Sequence, residues 1–216
     1  NSRRYYGQNG GYSPLGVYSQ TFTDLSVTSP GLALEFKRTY NSLNDEIGAF
    51  GKGWTFNYQG SCKDYEYKYT DDNGNVQTVP AFSRDSLVKN ADGTFVLTTT
   101  EQNVYVYSAN GYLASVSDKN TNTINIAVDD FGNVQKVIDG AQREYLISYT
   151  DGRITSITDP IGRTVQYRYI NGQLTQVIDP MNTVIAGYTY DSSNFLAEIR
   201  DAYSHITESD FSEEVT

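Results

Sequence analysis

The sequence predicts an all-β protein built from tandem antiparallel β-hairpins, and three observations predict it. One short pattern comes round five times between Asn110 and Phe211: an aliphatic residue, another three later, and an Asp two beyond that. The rounds are Leu113/Val116/Asp118, Val134/Val137/Asp139, Ile154/Ile157/Asp159, Leu174/Val177/Asp179 and Leu196/Ile199/Asp201. Their first positions lie 21, 20, 20 and 22 residues apart, and such periodicity marks a repeat array. The second observation is period-two alternation of β-branched and aromatic residues, a strand signal. It is carried by Ile124/Ile126/Val128, Tyr145/Ile147/Tyr149 and Val165/Tyr167/Tyr169. The third is turn chemistry between the strands.

Asn110-Gly111, Asp151-Gly152 and Asn171-Gly172 favour turns with φ > 0. Gly132 and Asn194 fill the same place in the second and fifth units, Asn being tolerant of left-handed geometry. At the other end, Asp159-Pro160-Ile161-Gly162 and Asp179-Pro180-Met181-Asn182 are turn sequences; Pro presets φ and cannot donate to a ladder. The aliphatic pair three apart breaks strict alternation, which predicts a bulge or two-sided burial there.

Residues 149–169, Tyr-Thr-Asp-Gly-Arg-Ile-Thr-Ser-Ile-Thr-Asp-Pro-Ile-Gly-Arg-Thr-Val-Gln-Tyr-Arg-Tyr, resemble a YD repeat of the Rhs family. That family includes bacterial Rhs polymorphic toxins, wall-associated proteins, Tc toxin C components and, more distantly, teneurins. The third and fourth units match best. In the earlier units Val128 replaces the Tyr and Gly140 follows Asp139 instead of Pro. Upstream, Thr23-Asp24-Leu25-Ser26, Arg38-Thr39-Tyr40-Asn41-Ser42 and Gly51-Lys52-Gly53-Trp54 resemble the domain that precedes YD repeats in Rhs proteins. The resemblance implies that the hairpins form part of a curved, shell-like β-sheet.

The chain has 216 residues, net charge -10 and 38% apolar residues, with 19 Tyr against 9 Phe. Its mean hydropathy is -0.51. Tyr-rich composition suits a sheet with wet faces, where a ring packs and its hydroxyl finds a partner. No stretch approaches the roughly 20 apolar residues of a membrane span, so membrane insertion is not expected. The acidic surface repels nucleic acid phosphates. Cys62 is the single cysteine, which excludes an intrachain disulfide and a Cys-rich metal site. No Asn-x-Ser/Thr sequon occurs. No signal peptide is visible, and Asn1-Ser2-Arg3-Arg4 is untypical of a natural start, so the chain reads as a fragment.

Taken in order, residues 1–14 read as a flexible lead-in and 15–60 as the pre-repeat β domain. Its strands are expected near Val17–Leu25 and Leu32–Tyr40, with Ser29-Pro30-Gly31 turning between them. Gly51 and Gly53 allow a tight reversal that packs Trp54 on the first sheet. Residues 61–107 read as connecting hairpins, with strands at Val76–Val79, Ser86–Val88, Phe95–Thr99 and Val104–Tyr107. Asp72-Asn73-Gly74-Asn75 closes the first of these hairpins. The repeat array follows at 108–207, and 208–216 is an acidic tail expected to be disordered. No amphipathic helix stands out.

Chemistry is sparse. Asp71, Asn73 and Asn75 imitate a calcium loop, but Val76 stands where Gly is needed and Phe82 where Glu should close the site. His205, the single histidine, sits in a drifted repeat with no nucleophile placed near it. Asp118, Asp139, Asp159, Asp179 and Asp201 form a row whose simplest role is to accept hydrogen bonds from turn amides. Glycosidase chemistry needs one defined carboxylate pair, and a repeat singles out none. Tyr145, Tyr149, Tyr167, Tyr169, Tyr188 and Tyr190 could form a sugar-stacking platform, or stack on one another across strands. No catalytic, metal or cofactor site is assigned.

The favoured reading is a non-catalytic structural segment. The resemblance implies a hollow β-shell that encloses a C-terminal toxin or effector, in a secreted or cell-surface bacterial protein. Its partners would be the remaining YD repeats and that effector. It also implies a terminal Asp-based protease that frees the cargo; no matching motif is visible. The alternative is an extracellular carbohydrate-binding or adhesin module using the Tyr-rich sheet. The unpaired edge at 184–200 is expected to drive self-association.

Overall fold

The computed structural model describes residues 11–12, 18–29, 31–63, 66–70, 76–80, 85–202 and 206–209. The described residues contain no helix. The N-terminal part supplies β1 (Gly11–Tyr12), β2 (Tyr18–Val27), β3 (Leu34–Asn41), β4 (Ile47–Gly48), β5 (Gly51–Lys52) and β6 (Trp54–Phe56). A small meander of β7 (Ser61–Lys63), β8 (Glu66–Thr70) and β9 (Val76–Pro80) follows. Then come β10 (Ser86–Lys89), β11 (Phe95–Thr98), β12 (Val104–Tyr107), β13 (Leu113–Ser117), β14 (Thr123–Val128), β15 (Val134–Ile138) and β16 (Glu144–Thr150). The last are β17 (Arg153–Thr158), β18 (Thr164–Ile170), β19 (Gln173–Ile178), β20 (Val184–Tyr190), β21 (Leu196–Asp201) and β22 (Ile206–Ser209). Strands β10 to β22 form one antiparallel meander of 13 strands. The sheet that carries the repeats therefore begins at Ser86, and the expected connecting strands β10–β12 are its first members.

The repeat pattern is a bulge code. Opposite β16, Ser148 pairs with Ser156 and Tyr149 with Ile154, so Thr155 is the extra residue. The same shift leaves Thr175 extra opposite Arg168/Tyr169, and Ala197 extra opposite Thr189/Tyr190. One added residue turns both aliphatics of a unit onto one face, which is why Ile154 and Ile157, and Leu174 and Val177, are all buried. The Thr155 hydroxyl donates to the Ser148 carbonyl (3.3 Å) and that of Thr175 to the Arg168 carbonyl (3.1 Å), satisfying backbone disturbed by the bulge.

Two kinds of turn alternate. Asp151-Gly152 and Asn171-Gly172 have positive φ at both residues, the two-residue geometry that matches strand twist. Asn110-Gly111 does not. Only Gly111 has φ > 0 (83°), and the loop runs from Ser108 to Tyr112, closed by Ser108 N–H on the Tyr112 carbonyl. On the opposite rim, Asp118, Asp139, Asp159 and Asp179 each accept from backbone N–H groups two and four residues on. Asp201 differs, being the last residue of β21, opposite Ala186. Asp129 and Asp191 make the same amide contacts at the hairpin tips, outside the five-fold pattern.

The N-terminal sheet, ordered β1-β2-β3-β6, packs on the repeat sheet. Ring contacts join them: Phe36–Tyr145 at 5.4 Å, Phe50–Tyr167 at 4.9 Å and Trp54–Tyr188 at 5.1 Å between centroids. Such pairs contribute about 0.5–1.5 kcal/mol beyond area burial. Two sequence expectations change here. Gly11–Tyr12, read as part of a flexible lead-in, is a strand paired with Tyr18–Ser19. Glu208, read as the start of a disordered tail, lies in β22 opposite Ile199. The expected edge at 184–200 is therefore paired, and the last described strand of the sheet is β22. The calcium-like positions Asp71, Asn73, Asn75 and Phe82, the Asp72–Asn75 turn, His205 and 210–216 lie outside the described residues.

Candidate functional site

The densest polar constellation is the seam between the two sheets. Asp24 and Arg38 face each other across β2 and β3, with Arg38 Nε 2.7 Å from Asp24 Oδ2 and both side chains almost fully buried. Both groups are completed by the repeats. Arg38 Nη1 donates to the Tyr188 hydroxyl (2.8 Å), and the Tyr167 hydroxyl donates to Asp24 Oδ2 (2.8 Å). The Arg38 guanidinium also lies over the rings of Phe22, Trp54 and Tyr188 at 4.8–5.2 Å. Burial alone would lower the Arg38 pKa, but Asp24 outweighs it and the net shift is upward. Burial pushes the Tyr188 phenol up to about 12 and Tyr167 well above its ordinary value. The constellation is therefore a buried Arg38–Asp24 ion pair between two phenols whose protons are held well past neutrality. Neither phenol is poised to exchange a proton near neutrality.

A second line of contacts ties the N-terminal loop to the repeats. Trp54 Nε1 donates to the Tyr190 hydroxyl (2.9 Å), which donates to the Leu174 carbonyl (2.8 Å). Gln173 is buried; its Oε1 accepts from Lys52 N–H (3.1 Å) and its Nε2 donates to the Asn194 carbonyl (3.3 Å). A Cβ on Gly51 would lie 2.9 Å from the Gly172 carbonyl, and φ there is +108°, so both space and backbone require glycine. Ile154 N–H donates to the Ala49 carbonyl and Leu113 N–H to that of Gly60. Trp54 thus belongs to the first sheet, as expected, and also bridges it to the second.

The tyrosines expected as a sugar platform take a different place. Tyr145, Tyr167 and Tyr188 are 1%, 4% and 3% exposed, because their strand faces point at the N-terminal sheet. Tyr149, Tyr169 and Tyr190 are partly buried against the same core. Their hydroxyls reach back one unit: Tyr149 to the Val134 backbone, Tyr169 to the Ile154 carbonyl (2.6 Å) and Tyr190 to the Leu174 carbonyl. These six rings form no open platform. The Asp row is engaged in its own turns, with Arg143 and Arg163 adding ion pairs of 2.7 Å to Asp139 and Asp159. Among the described residues no cluster of three His, Cys, Asp or Glu could hold a metal, and no helix is long and apolar enough to cross a membrane.

Comparison with known proteins agrees with this layout. Residues 13–78 match a domain of unknown function (DUF6531), and residues 149–180 match the RHS Repeat. Over 128 residues the chain is 30% identical to the tRNA nuclease WapA of Bacillus subtilis (strain 168). It is 28% identical to the tRNA(Glu)-specific nuclease WapA of Bacillus subtilis subsp. natto and to the tRNA3(Ser)-specific nuclease WapA of Bacillus spizizenii. Each match takes in 59% of this chain and 5% of the relative, so the chain spans a small fraction of these proteins. The repeat signature, the N-terminal domain that precedes it and the similarity to WapA support the Rhs/YD-repeat family.

Proposed function

We propose that this chain is a non-catalytic wall segment of a larger, secreted or cell-surface bacterial Rhs-type protein, and that the wall encloses a C-terminal toxin or effector. The observation that supports it most is the tyrosine relay. The backbones of three successive units, at Val134, Ile154 and Leu174, are each bonded by a tyrosine hydroxyl from the next unit, so successive repeats complete one another, and these recurring positions serve the sheet instead of a reaction. The relatives' printed names describe tRNA nucleases, and this chain matches only 5% of their length.

Limited proteolysis of the full-length protein tests the reading. The effector segment should resist protease while the repeats are intact and become sensitive when they are loosened by mild denaturant. An effector cut at the same rate in both conditions would rule out enclosure. Self-association is proposed through β22, the last described strand of the sheet. Sedimentation velocity that finds a strict monomer at all salt and protein concentrations would dismiss it.

A further inference from the structure

Where the N-terminal layer meets the hairpin tips lies a pocket of ≈ 260 Å³ walled by the backbone of β6. Among the described strands β6 is an edge, paired with β3 alone. Asn41 N–H donates to the Gly53 carbonyl and Asn57 N–H to that of Lys37. This register turns the polar backbone of Thr55 toward β3 and that of Trp54 and Phe56 outward. Gly48 lies against the Trp54 carbonyl, to which a Cβ would come within 2.3 Å, and Gln59 N–H donates to the Phe56 carbonyl. The Phe56 N–H is left at the pocket wall.

The mouth is apolar and its surroundings acidic. Ile47 is 68% and Phe131 84% exposed, and both line the pocket. Phe131 stands in a closely packed turn, where Gly132 rests on the Tyr112 ring, which a Cβ would meet at 2.3 Å. Exposed Glu46 and Asp130 adjoin these two side chains in sequence, and Lys52, which pairs with Ile47 across β4 and β5, is neutralised by Asp45 at 3.1 Å, within a chain of net charge -10. Large apolar side chains held open over an edge strand mark an interaction site.

We propose that this pocket binds an extended segment of a partner polypeptide. An apolar side chain of the partner sits between Ile47 and Phe131, Lys or Arg residues flank it beside Glu46 and Asp130, and a partner carbonyl accepts from Phe56 N–H. The proposal does not depend on enclosure of an effector.

The test is fluorescence anisotropy with the whole chain and a dye-labelled Ser-Lys-Phe-Lys-Ser peptide. Saturable binding with Kd below about 1 mM is expected, weakening as salt rises. The Ser-Glu-Phe-Glu-Ser peptide should bind at least about tenfold more weakly. So should the lysine peptide to an Ile47→Ser/Phe131→Ser variant, whose circular dichroism and urea midpoint should match the parent because both side chains are exposed. No saturable binding would overturn the proposal, as would equal binding of the acidic peptide or of the double variant. Binding of neutral oligosaccharides in preference to the peptide would overturn it as well.

Discussion

The repeat sheet and the N-terminal sheet meet the same physical needs by opposite means. In the repeats each need is met locally and several times: a carboxylate two and four residues from the amides it caps, a bulge that aims two aliphatics inward, a hydroxyl from one unit on. In the N-terminal sheet each is met once, at long range. Arg38 reaches Tyr188, 150 positions away, and Trp54 reaches Tyr190, 136 away. Redundancy makes one repeat dispensable in a way that one seam residue is not, and that difference can be measured.

Arg38→Ala should be the most damaging change. It leaves Asp24 buried without its cation and the Tyr188 hydroxyl without its donor, at a cost of about 3–5 kcal/mol. An Asp24→Leu/Arg38→Met double variant should recover most of this, because no lone charge remains buried. Urea unfolding of the single and double variants checks both outcomes; equal losses in the two would show that the pair itself, not the orphaned charge, carries the stability.

Gly152→Val comes next, at about 1 kcal/mol or more, because φ is +73° with open space around the position and the cost is backbone strain alone. Gly111→Asn should be milder, since Asn194 holds φ at 63° in the same kind of loop. Matching urea midpoints for the two would refute the strain argument.

Tyr169→Phe removes one hydroxyl from the relay and exposes the Ile154 carbonyl to no partner, a loss of about 0.5–1.5 kcal/mol. Loss confined to that rung, read as faster amide exchange in β17 and β18 only, would bear out the local character of the repeats. Faster exchange throughout both sheets would erase the contrast.

The dependence on pH should be gentlest, and it acts at two ends. The carboxyls of Asp118 and Asp129 are held below the usual range, chiefly by Asn122 and Asn133. A lowered folded pKa gives stability that is complete above the unfolded value of about 4 and is lost as pH falls through the folded one. At the alkaline end, burial raises Tyr188 to about 12. That stability is complete below about 10 and is lost as pH rises toward 12. Urea midpoints should be flat between these limits, and phenolate absorbance should show Tyr188 and Tyr167 ionising only late. A midpoint that changes steadily between pH 5 and 9 would contradict both assignments.

The repeat sheet was legible because its information is periodic and local. The spacing of Ile154 and Ile157 announces a bulge, and Asp159 before Pro160 announces a turn that caps itself. The seam was not legible. The Thr-Asp-Leu-Ser and Arg-Thr-Tyr-Asn-Ser segments stood out only by resemblance, and nothing local in them says that Asp24 and Arg38 pair or that Tyr167 and Tyr188 complete them. The six tyrosines misled for a related reason. Alternation gives the face of a strand, but which face another sheet covers is tertiary information. Asp129 and Asp191 escaped because the same Asx cap occurs at tips where the pattern invited a search for Gly.

The tyrosine relay has a direction, and that direction coincides with the order of protein synthesis. Tyr169 closes the backbone at Ile154 and Tyr190 at Leu174, 15 and 16 residues earlier. A unit leaving the ribosome is therefore unfinished until its successor emerges, and the N-terminal sheet, made first, is already present as the surface on which the early rungs settle. This arrangement predicts vectorial, stepwise growth of the sheet on the nascent chain. Force-profile measurements on arrested chains should register one pulling event per emerging repeat; a single event after the last strand would instead mean that the array folds all at once.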